Sequence, residues 1–148
     1  MISFTGLARS LGEPAVTAPA SGLACLAARV DVVAEPPPPA PLRVLGSVVF
    51  ARDFAVEGPG GELVWVPRAE LVVEGDLAAD AVDVERWPAE LAPIAAGAPL
   101  GTRPRAREVV VAAGARVELA ADALVPLPQS AASPATHLAR APRIRVIG

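Results

Sequence analysis

LACLAARVDVV, residues 23–33, advances in steps of two. Its even positions, Ala24, Leu26, Ala28, Val30 and Val32, are all apolar, whereas the odd positions carry Cys25, Arg29 and Asp31. That alternation describes a β-strand with one covered face and one partly solvated face. Cys25, by its own parity, stands opposite the purely apolar side, so a core position for it requires both faces of the strand to be covered.

Working outward, residues 2–9, ISFTGLAR, form a short first strand that ends at Gly12 and Pro14, and Pro19, Ser21 and Gly22 make a turn. On the other side EPPPPAP, residues 35–41, is too rich in proline for a helix or central strand and reads as a stiff hairpin connection rather than a PxxP ligand. SVVFARDFAV, residues 47–56, puts Val48, Phe50, Phe54 and Val56 on one side and reads as a second long strand. EGPGGE, residues 57–62, is a turn into LVWVP, and the pieces form a hairpin. A phosphate-cradling loop would need the Lys and Ser/Thr of a P-loop and a following helix, and none of these is present.

AELVVEGD, residues 69–76, continues as a short strand, and ERWPAELAPIAAGA, residues 85–98, is the helix candidate, with Pro88 in its first turn and Gly97 at its end. GTRPRAR, residues 101–107, reads as a basic loop, residues 107–126 as a second hairpin around Ala113-Gly114, and residues 127–137 as a loop. RIRVIG, residues 143–148, ends the chain as a strand. The fold class expected is mainly β: a small antiparallel OB-like β-barrel with one short helix in the second half, because closing a sheet removes its exposed edges. It is read as a single domain over 1–148, with the Pro-rich connection at 35–41, a loop and short helix at 77–106 and a loop at 126–142.

The chain has 148 residues, enough to bury a core without disulfides or metal. Hydrophobic residues make up 53% of it and aromatics 3%, so the core is built from small and β-branched side chains, chiefly Ala and Val. Every basic residue is Arg, and the net charge of -3 argues against a nucleic-acid partner. One cysteine makes no internal disulfide. No basic start with an apolar run opens the chain, and Pro, Arg or acidic residues interrupt every window that could span a bilayer, so the expectation is a cytoplasmic protein with no membrane span.

Few residues offer chemistry. A catalytic thiol needs a base, and the one histidine, His137, lies 112 residues after Cys25. One Cys and one His without close-ligand spacing hold no metal, and no cofactor is implied. Asp80, Asp83 and Glu85 read as solvated residues before a helix, and Ser21 lacks a nucleophile-elbow context. Phe4, Phe50, Phe54, Trp65 and Trp87 are too few to serve both a core and a base-stacking platform. Arg29 and Arg52 interrupt apolar strands and, beside Trp65, are the candidate binding face; ion pairs with Asp31 or Asp53 are the competing reading.

The order of these segments resembles a known family. In APASGLACLAARVDV the residues Pro19, Gly22, Cys25, Arg29 and Val32 are spaced like the opening of GIDE-type domains, modules of membrane-anchored mitochondrial ubiquitin ligases and of many bacterial proteins. FAVEGPGGELVWVP is similar to the family's hairpin through Phe54, Val56, Gly61, Val66 and Pro67. PAELAPIAAGAPL and RAREVVVAAGARVEL are similar to its short helix and following strand through Arg107, Glu108, Val111, Gly114 and Val117. The resemblance implies an OB-like barrel with no catalysis of its own, since ligase activity in those relatives belongs to a separate RING rich in Cys and His. The expected function is thus a non-enzymatic interaction or regulatory module with a protein partner. The alternative is a small-ligand binder or enzyme whose site is assembled around Cys25 and His137.

Overall fold

The computed structural model describes residues 1–75, 81–128 and 133–147. Along it lie β1 (Ile2–Ser10), β2 (Val16–Thr17), β3 (Ala24–Cys25), β4 (Ala27–Glu35), β5 (Arg43–Ala51), β6 (Phe54–Glu57), β7 (Leu63–Val66) and β8 (Val72–Glu74). The helix α1 (Ala92–Ala96) follows, then β9 (Arg103–Val111), β10 (Arg116–Ala121), β11 (Ala123–Pro126), β12 (His137–Arg140) and β13 (Arg143–Val146). The chain is mainly β with one short α-helix among the described residues. No described helix is long and apolar enough to cross a membrane.

β4 is the centre of a three-stranded antiparallel sheet in the order β5-β4-β9. Its even side chains, Val30 and Val32, meet Leu91 and Ala95 at α1, while Ala27 joins a larger core on the opposite face. Both faces are therefore covered, and every β4 residue from Ala27 to Ala34 except Arg29 is buried. α1 settles closely on β5 because Gly46 has no side chain there: a Cβ would lie 3.0 Å from Ile94 Cγ2.

The second sheet has eight strands in the order β11-β12-β7-β6-β1-β10-β13-β8. Most neighbours are antiparallel, but β12 runs parallel to β7 and β13 parallel to β8. The closed antiparallel barrel expected from the pattern is corrected here to open sheets: among the described residues the ladder ends at β11 and β8 and does not join them. Both end strands are short, three and four residues, which leaves little ladder with which to close a ring. The two large sheets meet over one core, in which Val109 and Val111 of β9 pack with Phe54, Val56, Val66, Val117, Leu119 and Ile144.

Several expected boundaries shift. Residues 47–56 are two strands in different sheets, β5 and β6, and Arg52-Asp53 carry the chain between them. The apolar alternation runs through this crossing unbroken, yet Val48 and Phe50 pack beside α1 whereas Phe54 and Val56 enter the large core. The expected hairpin at Gly114 is likewise a passage between sheets, since β9 pairs with β4 and β10 with β1. Gly114 turns with φ +85° and donates its N–H to Ala8 O at 2.7 Å. The expected loop at 101–107 is the first half of β9, whose Arg103, Arg105 and Arg107 stand opposite Glu35, Val33 and Asp31.

The one short helix expected within 85–98 forms over Ala92–Ala96 with Gly97 as its cap, but Pro93 rather than Pro88 lies in its first turn. The hairpin of β6 and β7, the first strand and the last strand form where the sequence places them. β12 takes up the end of the expected 126–142 loop and pairs with both β11 and β7.

Candidate functional site

Arg29 of β4 and Arg107 of β9 converge on Asp31, the one charged side chain that is buried among the described residues, at 2% exposure. Register makes the site: Asp31 stands across from Ser47 on β5 and from Arg107 on β9. Ser47 Oγ donates to Asp31 Oδ1 at 2.6 Å, and Arg29 Nε, two residues along the same face, donates to that oxygen at 3.1 Å. Arg107 Nη2 lies 3.8 Å from Asp31 Oδ2, and Arg29 Nη1 also donates to Val73 O on β8 at 3.2 Å. A buried carboxylate needs this many partners, because an isolated charge is costly away from water. Arg29 thus stitches the two large sheets together at β8, and the ion-pair reading holds for it.

Cys25 is buried at 3% exposure and packs with Ala18 and Ala28. The chain bends at Leu26, so parity does not carry through: Leu26 enters the large core while Cys25 turns to the side of Ala28 and Val110. Burial pushes its thiol above the ordinary value, and the nearby Glu108 carboxylate adds to the rise. Glu108 accepts the N–H groups of Ala20 and Ser21 at 2.8 and 3.2 Å and so holds the turn before β3. His137 stands on β12 of the eight-stranded sheet, with Nδ1 2.9 Å from Thr136 Oγ1. Cys25 and His137 therefore occupy different sheets.

Arg52 and Trp65 occupy separate hollows. Arg52 lines a groove of about 530 Å³ beside the end of β5, together with Val16, Phe50, Arg68 and Glu90. Trp65 lines a smaller hollow with Leu11, Glu13 and Asp53. Asp53 does not pair with Arg52; its Oδ1 accepts the backbone N–H of Arg68 at 2.9 Å. A third hollow, about 460 Å³, lies over β1 between Gly6, Arg9, Glu57 and Arg116, and the Arg9–Glu57 ion pair at 2.8 Å closes one wall. The candidate face Arg29, Arg52 and Trp65 is thus not drawn into one hollow.

No family model, curated protein or solved structure matches the chain. Among the described residues, no group of three or more His, Cys, Asp or Glu gathers where a metal could sit. Of the acidic cluster, Asp83 is spent on Arg103 at 2.7 Å and Arg105 at 3.4 Å, Glu85 is exposed, and Asp80 lies outside the described residues. Sequence reading missed Ser47, Arg68, Arg107 and Glu108 as partners. For Ser47 and Arg107 the only signal is their register against Asp31.

Proposed function

We propose that this chain is a non-enzymatic interaction or regulatory module that binds a protein partner, of the same general kind as GIDE-type modules. The observation that carries the reading is the outer side of β5. It is a nine-residue strand paired only with β4 among the described residues, and exposed Leu42 and Val44 stand at its start. A long, mostly uncharged edge is a surface that meets another polypeptide.

Two further points support the reading. The thiol that a covalent mechanism would require is enclosed among alanines and held protonated by burial. The residues behind the GIDE resemblance also converge in space: Glu108 holds the turn at Ala20 and Ser21, Cys25 packs beneath it, and Arg29 and Arg107 share Asp31. Those motifs then mark a scaffold rather than a reaction centre. An OB-like relation belongs to the same proposal, with two sheets around one core corresponding to a barrel opened along its edges.

Affinity capture with the tagged full chain tests the reading. A polypeptide retained in fixed proportion and displaced by untagged chain is the expected result. Capture of nothing above background, together with turnover in a substrate panel, would overturn it.

A further inference from the structure

The outer edge of β5 has a definite chemistry. Arg52 N–H donates to Leu26 O at 3.1 Å, extending the register in which Phe50 faces Ala28 and Val48 faces Val30. Hydrogen bonding alternates along an antiparallel ladder, so the even-numbered residues turn their backbone groups to β4. The backbone N–H and C=O groups of Ser47, Val49 and Ala51 consequently point away from the sheet. No strand pairs with them among the described residues.

Edges are ordinarily blunted by charge, proline, shortness or a bulge. Here the segment SVVFA, residues 47–51, carries no charge and no proline, and the one irregularity falls earlier, where Val32 and Val33 face Gly46 and Val44. Alongside this clean stretch runs the groove of about 530 Å³, with Phe50 and Ala51 on the β5 side and Val16 among its other lining residues. Arg52 and Arg68 line it, and neither forms an ion pair among the described residues. Among the described lining residues two arginines stand against one acid, Glu90, and the neighbouring Asp53 carboxylate accepts the Arg68 backbone N–H, leaving both guanidinium groups without an acidic partner there.

We propose that this edge takes an extended acidic segment of a protein partner, which adds as a strand along Ser47–Ala51 and places a carboxylate between Arg52 and Arg68. The proposal rests on the module reading above and assigns it a surface and a class of ligand. Backbone pairing supplies the fit, and the two guanidinium groups supply the preference for acid.

Isotope-labelled full chain is titrated with a capped hexapeptide of alternating Val and Thr bearing two Glu at one end, and with its Lys counterpart. The expected result is a shift and slowed hydrogen exchange at the amides of Ser47, Val49 and Ala51, with the acidic peptide binding about tenfold more tightly than the basic one. The double variant Arg52→Glu and Arg68→Glu is expected to reverse that preference. Val49→Pro removes an outward N–H while sparing the inward ladder, and is expected to abolish binding; if it does not fold, the charge reversal still decides. Equal binding of both peptides, or shifts confined to other strands, would overturn the proposal. So would a concentration-dependent dimer formed through β5, since a second copy would then be the occupant. If the double variant captures the same partner as the unaltered chain, the edge is the wrong surface and the module reading stands; if the unaltered chain captures none, the module reading itself fails.

Discussion

Asp31 shows what one residue contributes here. It is held by Ser47 at 2.6 Å and Arg29 at 3.1 Å, with Arg107 at 3.8 Å. Replacing it strands the two arginines beside a dry strand, so Asp31→Ala is expected to cost about 3 kcal/mol in urea unfolding, and Ser47→Ala about 1 kcal/mol. A loss below about 1 kcal/mol for Asp31→Ala would show that the arginines find other partners without it. Cys25 gives a test of a different kind. Its thiol lies above the ordinary value, so the folded chain holds that proton more tightly than the unfolded chain does. As pH rises the unfolded thiol ionises first, and the stability tied to Cys25 is complete below its ordinary range and declines above it. The stability difference between the natural chain and Cys25→Ala should shrink as pH rises through the ordinary thiol range, from about pH 8 upward, and alkylation should be slow until denaturant is added. Rapid labelling of folded chain would contradict this. The charge of Arg29 and Asp31 was readable in the sequence, and so was the competition between ion pair and ligand face. The burial of Cys25 was not, because it depends on a bend at Leu26 that reverses the parity of the strand.

At the scale of elements, contact between strands is set by small residues as much as by apolar ones. Gly6 on β1 lies so near β6 that an added Cβ would sit 2.3 Å from Glu57 O and 2.7 Å from Val56 Cγ1. Gly6→Ala must push the backbone of β6 aside, and is expected to cost about 1–3 kcal/mol and to raise hydrogen exchange at the paired residues Leu7–Ser10. Unchanged exchange there would mean that the pair absorbs a methyl group. The alternation of 27–33 and of 143–146 was legible because period two is a local property, whereas the single strand expected over 23–33 is broken at Leu26 into β3 and β4, which belong to different sheets. The crossings at Arg52-Asp53 and Gly114 were not legible, because a strand leaving one sheet for another keeps the same alternation on both sides. Residues 101–107 were misread for the opposite reason: arginines occupy alternate positions whose covering comes from Glu35 and Asp83, both remote in sequence.

For the whole molecule, the decisive fact is a core shared by both large sheets. Phe54 and Leu119 come from the eight-stranded sheet and Val111 from the three-stranded one, and all three are fully buried together. Phe54→Ala is expected to cost about 3–5 kcal/mol, and Val111→Ala to lower the same transition. Fluorescence can follow this from two places, since Trp65 lies on β7 and Trp87 packs in the layer with α1. Single-tryptophan variants should unfold with coincident midpoints, whereas separate midpoints would show that the two layers fold independently. The β class, the small-residue core and the poverty of chemical groups are already legible in the chain, because composition and alternation are properties of neighbouring residues. Which sheet each strand joins, and that among the described residues the sheets stay open and β5 keeps an unpaired side next to two arginines, emerge only in the folded chain. Those outcomes depend on pairing between strands far apart in the chain, and the energy of such pairing lies in register and packing that no local stretch contains.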